Sequence, residues 1–430
     1  MAEERVELKI SSLAFGGEGL ARYSEGQAQA GKVVFVRGGL PGERVEARII
    51  NRRRDFDRAE AVRIIEASPE RVRPSCPLFG VCGGCQLQHL AYSAQLAIKA
   101  GWLKEALGRA GVSEGCFQRL QASPGQWRYR YRARLAVTAS GKLGFRASGS
   151  LDVVPLKACP IMTRELETLV ARLSQLLADR PPGVELEVQS AADKSGQAFV
   201  LFSAGGKPIP GQTQRLLENL EEPLAAAVYT SPPTLKELPA APPPGSLALT
   251  FAGYSLHLFP GVFAQAQLPQ NRALVKAVLD LVQPRPGQRI LDLMAGMGNF
   301  SLPLALAGAR VKAVEISRLA CANGRYNAAL AGLEIEFEAN PAVAVLRKAA
   351  EAKERYDAVI ADPPRQGLKE LIEPLSHLEV PRLVYVSCDP MSLARDLKKL
   401  TGLGFRVERV VPLDLFPQTY HLESACLLVH

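Results

Sequence analysis

The 430-residue chain is 47% hydrophobic and 22% charged, with a formal net charge of +9, a composition that excludes a disordered or fibrous chain and leaves room for two to four packed domains. No apolar run of about 18 residues occurs and the opening MAEERVELKI lacks a signal-peptide core, so a cytoplasmic protein with no membrane association is expected. The charge is lopsided: residues 1–150 carry 24 Lys and Arg against 14 Asp and Glu, and the remainder 28 against 29, which points to an N-terminal module that meets a polyanion and a near-neutral body behind it.

Residues 5–67 alternate apolar and polar positions in short runs, such as Val6 to Ile10, Lys32 to Val36 and Arg44 to Ile49, broken by Gly-rich turns such as Gly16-Gly17-Glu18-Gly19. Short strands at this spacing predict a small β-barrel. Arg52, Arg53, Arg54 and Arg58, with Phe56 among them, form a basic tip suited to a nucleic-acid backbone. This segment resembles a TRAM domain, a barrel appended to RNA-modifying enzymes.

Eight cysteines are too few and too clustered for a secreted disulfide framework. Cys76, Cys82 and Cys85 fall within ten residues, and Cys159-Pro160 follows much later. Four thiolates fit zinc or a 4Fe-4S cluster; the glycines beside Cys82 and Cys85, which let N–H groups approach sulfur, and the Cys-Pro dipeptide favour the cluster. The spacing differs from the CxxxCxxC of radical enzymes, so a structural or RNA-shaping role is expected for it.

Apolar positions at helical spacing predict a helix over residues 91–110. Trp127 to Arg134 alternates aromatic and basic residues, which on a strand would set three rings on one face and arginines, offered to RNA phosphates, on the other. Residues 151–258 read as further sheet with one helix near 162–178, and the prolines from Pro232 to Pro244 mark a loop.

From about residue 260 strands alternate with helices, the signature of a doubly wound parallel sheet. Ile290 to Phe300 reads as an apolar strand, a GxG turn and a helix start, with Glu315 ending the next strand. Glycines there admit a ligand to the helix N-terminus, and the later acid suits ribose hydroxyls; the DxxxGxG spacing favours S-adenosylmethionine over a dinucleotide. Asp362 ends a further strand in Asp-Pro-Pro-Arg, a position facing the ligand crevice. Leu383 to Ser387 is the next strand, and Cys388, just past its end, is a candidate nucleophile. Glu423 begins a last apolar run, expected at the sheet edge, and is a candidate base.

The barrel, the cysteine pattern, Phe263-Ala264-Gln265, DLMAGMGNFSLPLA, DPPR, SCDP and HLES together resemble the RNA uracil-C5 methyltransferases, in particular the iron-sulfur branch acting on bacterial large-subunit rRNA, over essentially the whole chain. The resemblance implies a multidomain α/β protein: a TRAM/OB-like barrel at 1–70, a central iron-sulfur α+β domain at 71–258 and a Rossmann-like methyltransferase domain at 259–430. It implies Cys388 as the thiolate that adds to uracil C6 and Glu423 as the base that removes the C5 proton. Gln265, Met294, Asn299, Glu315, Asn340 and Asp362 would contact S-adenosylmethionine or substrate, and Cys76, Cys82, Cys85 and Cys159 would hold the cluster. The chain would act as a monomer on 23S rRNA, with a tRNA T-loop uridine, or a non-catalytic RNA-binding role on the same scaffold, as alternatives. Met294 and Ala295 stand where the family usually has an aromatic residue and a Cys, and Gln267 replaces an Asn. An RNA cytosine-C5 methyltransferase would want a second Cys beside Asp362, where Pro363 and Pro364 stand.

Overall fold

The computed structural model describes residues 4–26, 29–235, 238–251, 254–378 and 380–430; the first three residues of the segment expected as a barrel lie outside the described residues. The chain divides into two compact units, Met1–Trp102 with Ala147–Ser150 and Phe416–His421, and Leu103–Arg146 with Leu151–Leu415 and Leu422–His430. No helix among the described residues is long and apolar enough to cross a membrane.

The first unit contains a closed five-stranded barrel: β1 (Arg5–Leu13), β2 (Gly19–Arg22), β3 (Val33–Arg37), β4 (Arg44–Arg52) and β5 (Phe56–Glu66), in the order β1-β2-β3-β5-β4. The alternation read in the sequence is the cause. Leu8, Ile10, Val34, Val36, Val45 and Ala47 point inward and pack as one core, while the residues between them stay wet. Two acids of this unit are buried among the described residues: the Asp57 carboxylate accepts from Tyr23 Oη at 2.7 Å and Lys32 Nζ at 2.6 Å, and Glu43 Oε1 accepts from Arg71 Nε at 2.5 Å, partners that offset their desolvation. A helix begins at Tyr92, within the expected 91–110 span, and in this unit Trp102 Nε1 donates to Leu13 O at 2.8 Å. Gln418 is stitched to Gln95 by two bonds of 3.0 Å, and Gln418 O accepts the Gln86 and Leu87 N–H groups.

The second unit holds two larger sheets. The first joins β6 (Arg132–Val137), β7 (Leu143–Arg146), β8 (Val153–Pro155), β9 (Leu186–Ala192), β10 (Ala198–Ser203) and β11 (Ala227–Tyr229), in the order β11-β10-β9-β6-β7-β8. Against β9 packs the helix Arg164–Asp179, capped by Thr163 and burying Leu166, Leu169, Val170, Leu173 and Leu177 along one stripe, each worth about 2 kcal/mol of burial. Two short helices that the sequence did not announce, Gly211–Glu218 and Glu221–Leu224, follow. The expected strand at Trp127 starts only at Arg132, because Arg128 takes a left-handed φ of +55° that breaks the extended run. Tyr129 and Tyr131 are buried, Arg128 pairs with Glu167 and Arg134 with Glu187, and Arg132 Nη1 donates to Ala264 O at 2.7 Å.

After the ladder of β12 (Leu247–Phe251) and β13 (Tyr254–Leu258) comes a seven-stranded sheet: β14 (Arg289–Leu293), β15 (Arg310–Val314), β16 (Ile335–Glu338), β17 (Ala358–Ala361), β18 (Arg382–Ser387), β19 (Arg406–Leu413) and β20 (Glu423–Val429). Its order is β16-β15-β14-β17-β18-β20-β19; the first five strands in that order are parallel and β20 is antiparallel to both neighbours. The last apolar run is thus not an edge strand. It pairs on both sides, and its Glu423 to Leu428 are all buried, which is why it reads as continuous hydrophobicity.

Candidate active site

The carboxyl ends of β14, β17 and β18 are the ligand-facing positions of a parallel sheet of this kind. Register places the chemistry. In the β18–β20 ladder Ser387 pairs with Ser424, so the next antiparallel pair in line is Cys388 with Glu423. On the other side Leu293 pairs with Ala361, and Asp362 N–H lies 3.5 Å from Leu293 O, next to Asp292 on β14. Asp292, Asp362, Cys388 and Glu423 therefore come from four strands that are consecutive in the sheet. Cys388 is half-buried and Glu423 only 2% exposed. Asp389 caps the following helix, Pro390–Gly402, by accepting Ser392 N–H at 2.7 Å, so the thiol sits beside a helix N-terminus.

Burial dominates the electrostatics. It pushes Asp362 up to about 7, with Asp292 adding to the effect, and lifts Glu423 well above the usual carboxylate range, with Asp362 adding. Burial also raises Asp292 to about 7, against a 2.5 Å hydrogen bond from Ser301 Oγ that favours its ionised form. The Cys388 thiol rises to about 12, first through burial and then through Glu423 and Asp362. Buried neighbouring carboxyls cannot all ionise, so such a group takes up a proton readily near neutral pH and can serve as a general base.

The Gly-rich turn after β14 is held by its own acid: Glu315 Oε2 accepts Gly296 N–H at 3.0 Å and Oε1 accepts Ser317 N–H at 2.8 Å. Gly298 has φ +91°, and a Cβ there would lie 2.8 Å from Leu302 Cδ1. Asn299 exchanges two amide hydrogen bonds with Asn271, of 2.8 and 3.1 Å. Met294, with φ +58°, is half-buried against the apolar core. Asn340, exposed, donates to Glu338 Oε1 at 2.7 Å, and Gln265 is 8% exposed. Phe263 is 65% exposed with the Arg132 guanidinium 5.0 Å from its ring centre. The departure at Gln267 has a structural use: its Nε2 donates to Ser123 Oγ at 2.5 Å, so this side chain anchors the 123–125 turn. Asp292 entered the sequence analysis only as the acid of DxxxGxG and was given no role of its own; its signal was an acid inside an otherwise apolar strand, a position that burial makes costly.

Cys76, Cys82 and Cys85 lie in the first unit, and Cys159, buried, in the second. Gly84 N–H approaches Cys82 Sγ at 3.4 Å, and Cys159 N–H donates to Glu167 Oε1 at 2.8 Å. Among the described residues no group of three or more His, Cys, Asp or Glu side chains is gathered to hold a metal ion. Of the basic tip, Arg52 pairs with Glu4 and the buried Asp57, and Arg58 with Glu18. Phe56 sits edge-on to Phe35, with ring centres 5.3 Å apart, while Arg53 and Arg54 are exposed.

Residues 253–430 match the family described as tRNA (Uracil-5-)-methyltransferase, and residues 2–62 match the TRAM domain. The chain is 35% identical to the 23S rRNA (uracil(1939)-C(5))-methyltransferase RlmD of Aromatoleum aromaticum, over 97% of this chain and 98% of that one. It is 37% identical to the protein of the same name from Halomonas elongata, over 100% of this chain and 90% of that one. Among solved structures, the tRNA (uracil-54, C5)-methyltransferase of Pyrococcus abyssi in complex with S-adenosyl-L-homocysteine superposes with a TM-score of 0.68 at 24% identity, covering 99% of this chain and 100% of that one. That likeness is one of fold.

Proposed function

The chain belongs to the RNA uracil-C5 methyltransferase family, and from that membership we propose that it methylates C5 of a uridine in 23S rRNA, using S-adenosylmethionine. The observation that carries the mechanism is the β18–β20 register, which sets a thiol opposite a buried carboxyl. An aromatic C5 is a poor nucleophile. Addition of the Cys388 thiolate to C6 breaks the conjugation and makes C5 an enolate carbon that takes a methyl group. Glu423 then accepts the C5 proton, the C5–C6 double bond reforms and the C6–S bond breaks, returning the thiolate. The cofactor supplies an electrophilic methyl on a sulfonium. Glu315, Asn299, Met294, Asn340 and Asp362, at the Gly-rich turn and the ends of β15, β16 and β17, are its contacts in this reading, with Gln265 added from the family resemblance alone.

The test is covalent trapping. RNA carrying 5-fluorouracil lacks a removable C5 proton, so wild type should form a stable adduct and Cys388→Ala none. Glu423→Gln should accumulate the adduct on ordinary RNA, and Cys388→Ala should lose turnover by about a thousandfold or more while still binding the cofactor. No adduct with wild type would leave an RNA-binding role on the same scaffold. Mapping 5-methyluridine lost from rRNA and tRNA of a deletion strain decides between 23S rRNA and the tRNA T-loop.

The four cysteines have the soft donor chemistry of a 4Fe-4S site, and the Gly84 N–H already directed at Cys82 Sγ is the kind of contact that stabilises cluster sulfur. Cys76, Cys82, Cys85 and Cys159 are the ligands in this reading, within a central segment 71–258 between the RNA-binding barrel 1–70 and the methyltransferase segment 259–430. The methyl-transfer steps above do not pass through the cluster. Anaerobically purified protein should contain about four iron atoms per chain; stoichiometric zinc without iron would overturn the assignment.

A further inference from the structure

Cys159 opens a tight turn. Its carbonyl accepts Met162 N–H at 3.0 Å, and Pro160, second in the turn, pre-sets the backbone for it. Its own N–H donates to Glu167 Oε1 at 2.8 Å. Glu167 lies in the first turn of the helix Arg164–Asp179, whose start is fixed separately by Thr163 Oγ1, which accepts Leu166 N–H at 3.3 Å. Both main-chain polar groups of Cys159 are therefore held, in a residue only 8% exposed.

The other oxygen of Glu167 pairs with the Arg128 guanidinium. Arg128 meets the same turn twice more: its main-chain N–H donates to Pro160 O at 2.9 Å and its Nη1 to Met162 O at 3.2 Å. Arg130 continues the attachment, donating N–H to Ile161 O at 2.8 Å and accepting Thr163 N–H at 2.9 Å. Arg128 makes its contacts from a left-handed φ of +55°, a conformation that disfavours a residue with a Cβ and persists where its surroundings over-determine it. The strain is matched by three contacts, all with the Cys159 turn or with the carboxylate that holds Cys159. The guanidinium also neutralises a carboxylate that would otherwise stand as a bare negative charge beside the backbone of a thiolate ligand.

We propose that Arg128 and Glu167 form a clamp that preorganises Cys159 as a ligand of the iron-sulfur cluster, acting as positioning residues outside the ligand set. The proposal rests on the reading of Cys159 as one of the four ligands. A ligand held in place before the metal arrives costs less to order, and partners that orient ligands in this way change metal affinity by about 10- to 100-fold.

The experiment follows the release of iron from the anaerobically purified full chain to a ferrous chelator, read by absorbance. Glu167→Ala should release iron about tenfold faster than wild type. Glu167→Gln keeps an oxygen to accept Cys159 N–H and should stay within about threefold of wild type. Arg128→Ala should release iron about threefold faster or more. Thr163→Ala removes the cap of the same helix while leaving Glu167 and Cys159 in place, and should release iron at the wild-type rate. A wild-type rate in Glu167→Ala or in Arg128→Ala would overturn the clamp. So would Thr163→Ala releasing iron as fast as Glu167→Ala, since general loosening of the helix would then be the cause, or Glu167→Gln releasing it as fast as Glu167→Ala, since the acceptor would then not matter. Iron absent from wild type removes the cluster reading and this proposal with it, whereas iron in wild type beside an unchanged release rate in Glu167→Ala removes this proposal alone.

Discussion

Asp292 shows at the scale of a residue how burial converts a carboxylate into a pH-sensitive part. It is fully buried, one oxygen is held by Ser301, the other has no hydrogen-bond partner among the described residues, and its carboxyl is raised from 3.8 to about 7. In the unfolded chain it would ionise near 3.8. The folded state therefore holds the extra proton between about 4 and about 7, and the stability this group contributes is full below the lower value and lost as pH rises through the upper one, at up to about 1.4 kcal/mol per pH unit. Asp292→Asn keeps an acceptor for Ser301 and removes the titration. Its melting temperature relative to wild type should climb by several degrees between about pH 4.5 and about pH 7.5, measured by calorimetry; a constant difference would refute the shift. The two residues of the proposed chemistry were readable before the fold because SCDP and HLES are local words, whereas Asp292 acquires its role from two neighbouring strands.

At the scale of elements, the turn between β14 and the helix Ser301–Leu306 carries the most constraint. Gly298→Ala would force a side chain into φ +91° and within 2.8 Å of Leu302 Cδ1. It should cost about 1–3 kcal/mol in urea unfolding and weaken S-adenosylmethionine binding, read by calorimetry; unchanged affinity would show that the turn does not contact the cofactor. The strand–turn–helix was legible from the apolar run and the glycines, and the helices beginning near 92 and 164 from their periodicity. Two features were not. Trp127 to Arg134 alternates as a strand should, yet Arg128 turns left-handed and Tyr129 and Tyr131 go to the core. Residues 423–429 look like a terminal edge and lie between β18 and β19. In both cases the local pattern is correct about burial and silent about partners.

For the whole molecule, the basic excess of residues 1–150 predicts salt-dependent RNA affinity. Ion pairs within the barrel occupy Arg44, Arg48, Arg52 and Arg58, while Arg53 and Arg54 are exposed. The double change Arg53→Glu with Arg54→Glu should weaken RNA binding about tenfold at moderate salt and flatten its dependence on salt, with the turnover rate at saturating RNA unchanged; equal salt slopes in filter binding would show that the tip does not meet phosphates. The sequence by itself determined the barrel, the doubly wound sheet and the cysteine spacing, and it supplied Cys388 and Glu423 as the candidates for nucleophile and base, because alternation, strand length and short motifs are encoded within a few neighbouring positions. Only the tertiary structure decided that β20 inserts beside β18 and brings Glu423 into line with Cys388, that the buried Asp292 neighbours Asp362, and that the helix after Cys388 holds the Arg365 carbonyl. Those depend on register and strand order, which come from contacts between residues far apart in the chain and leave no local mark.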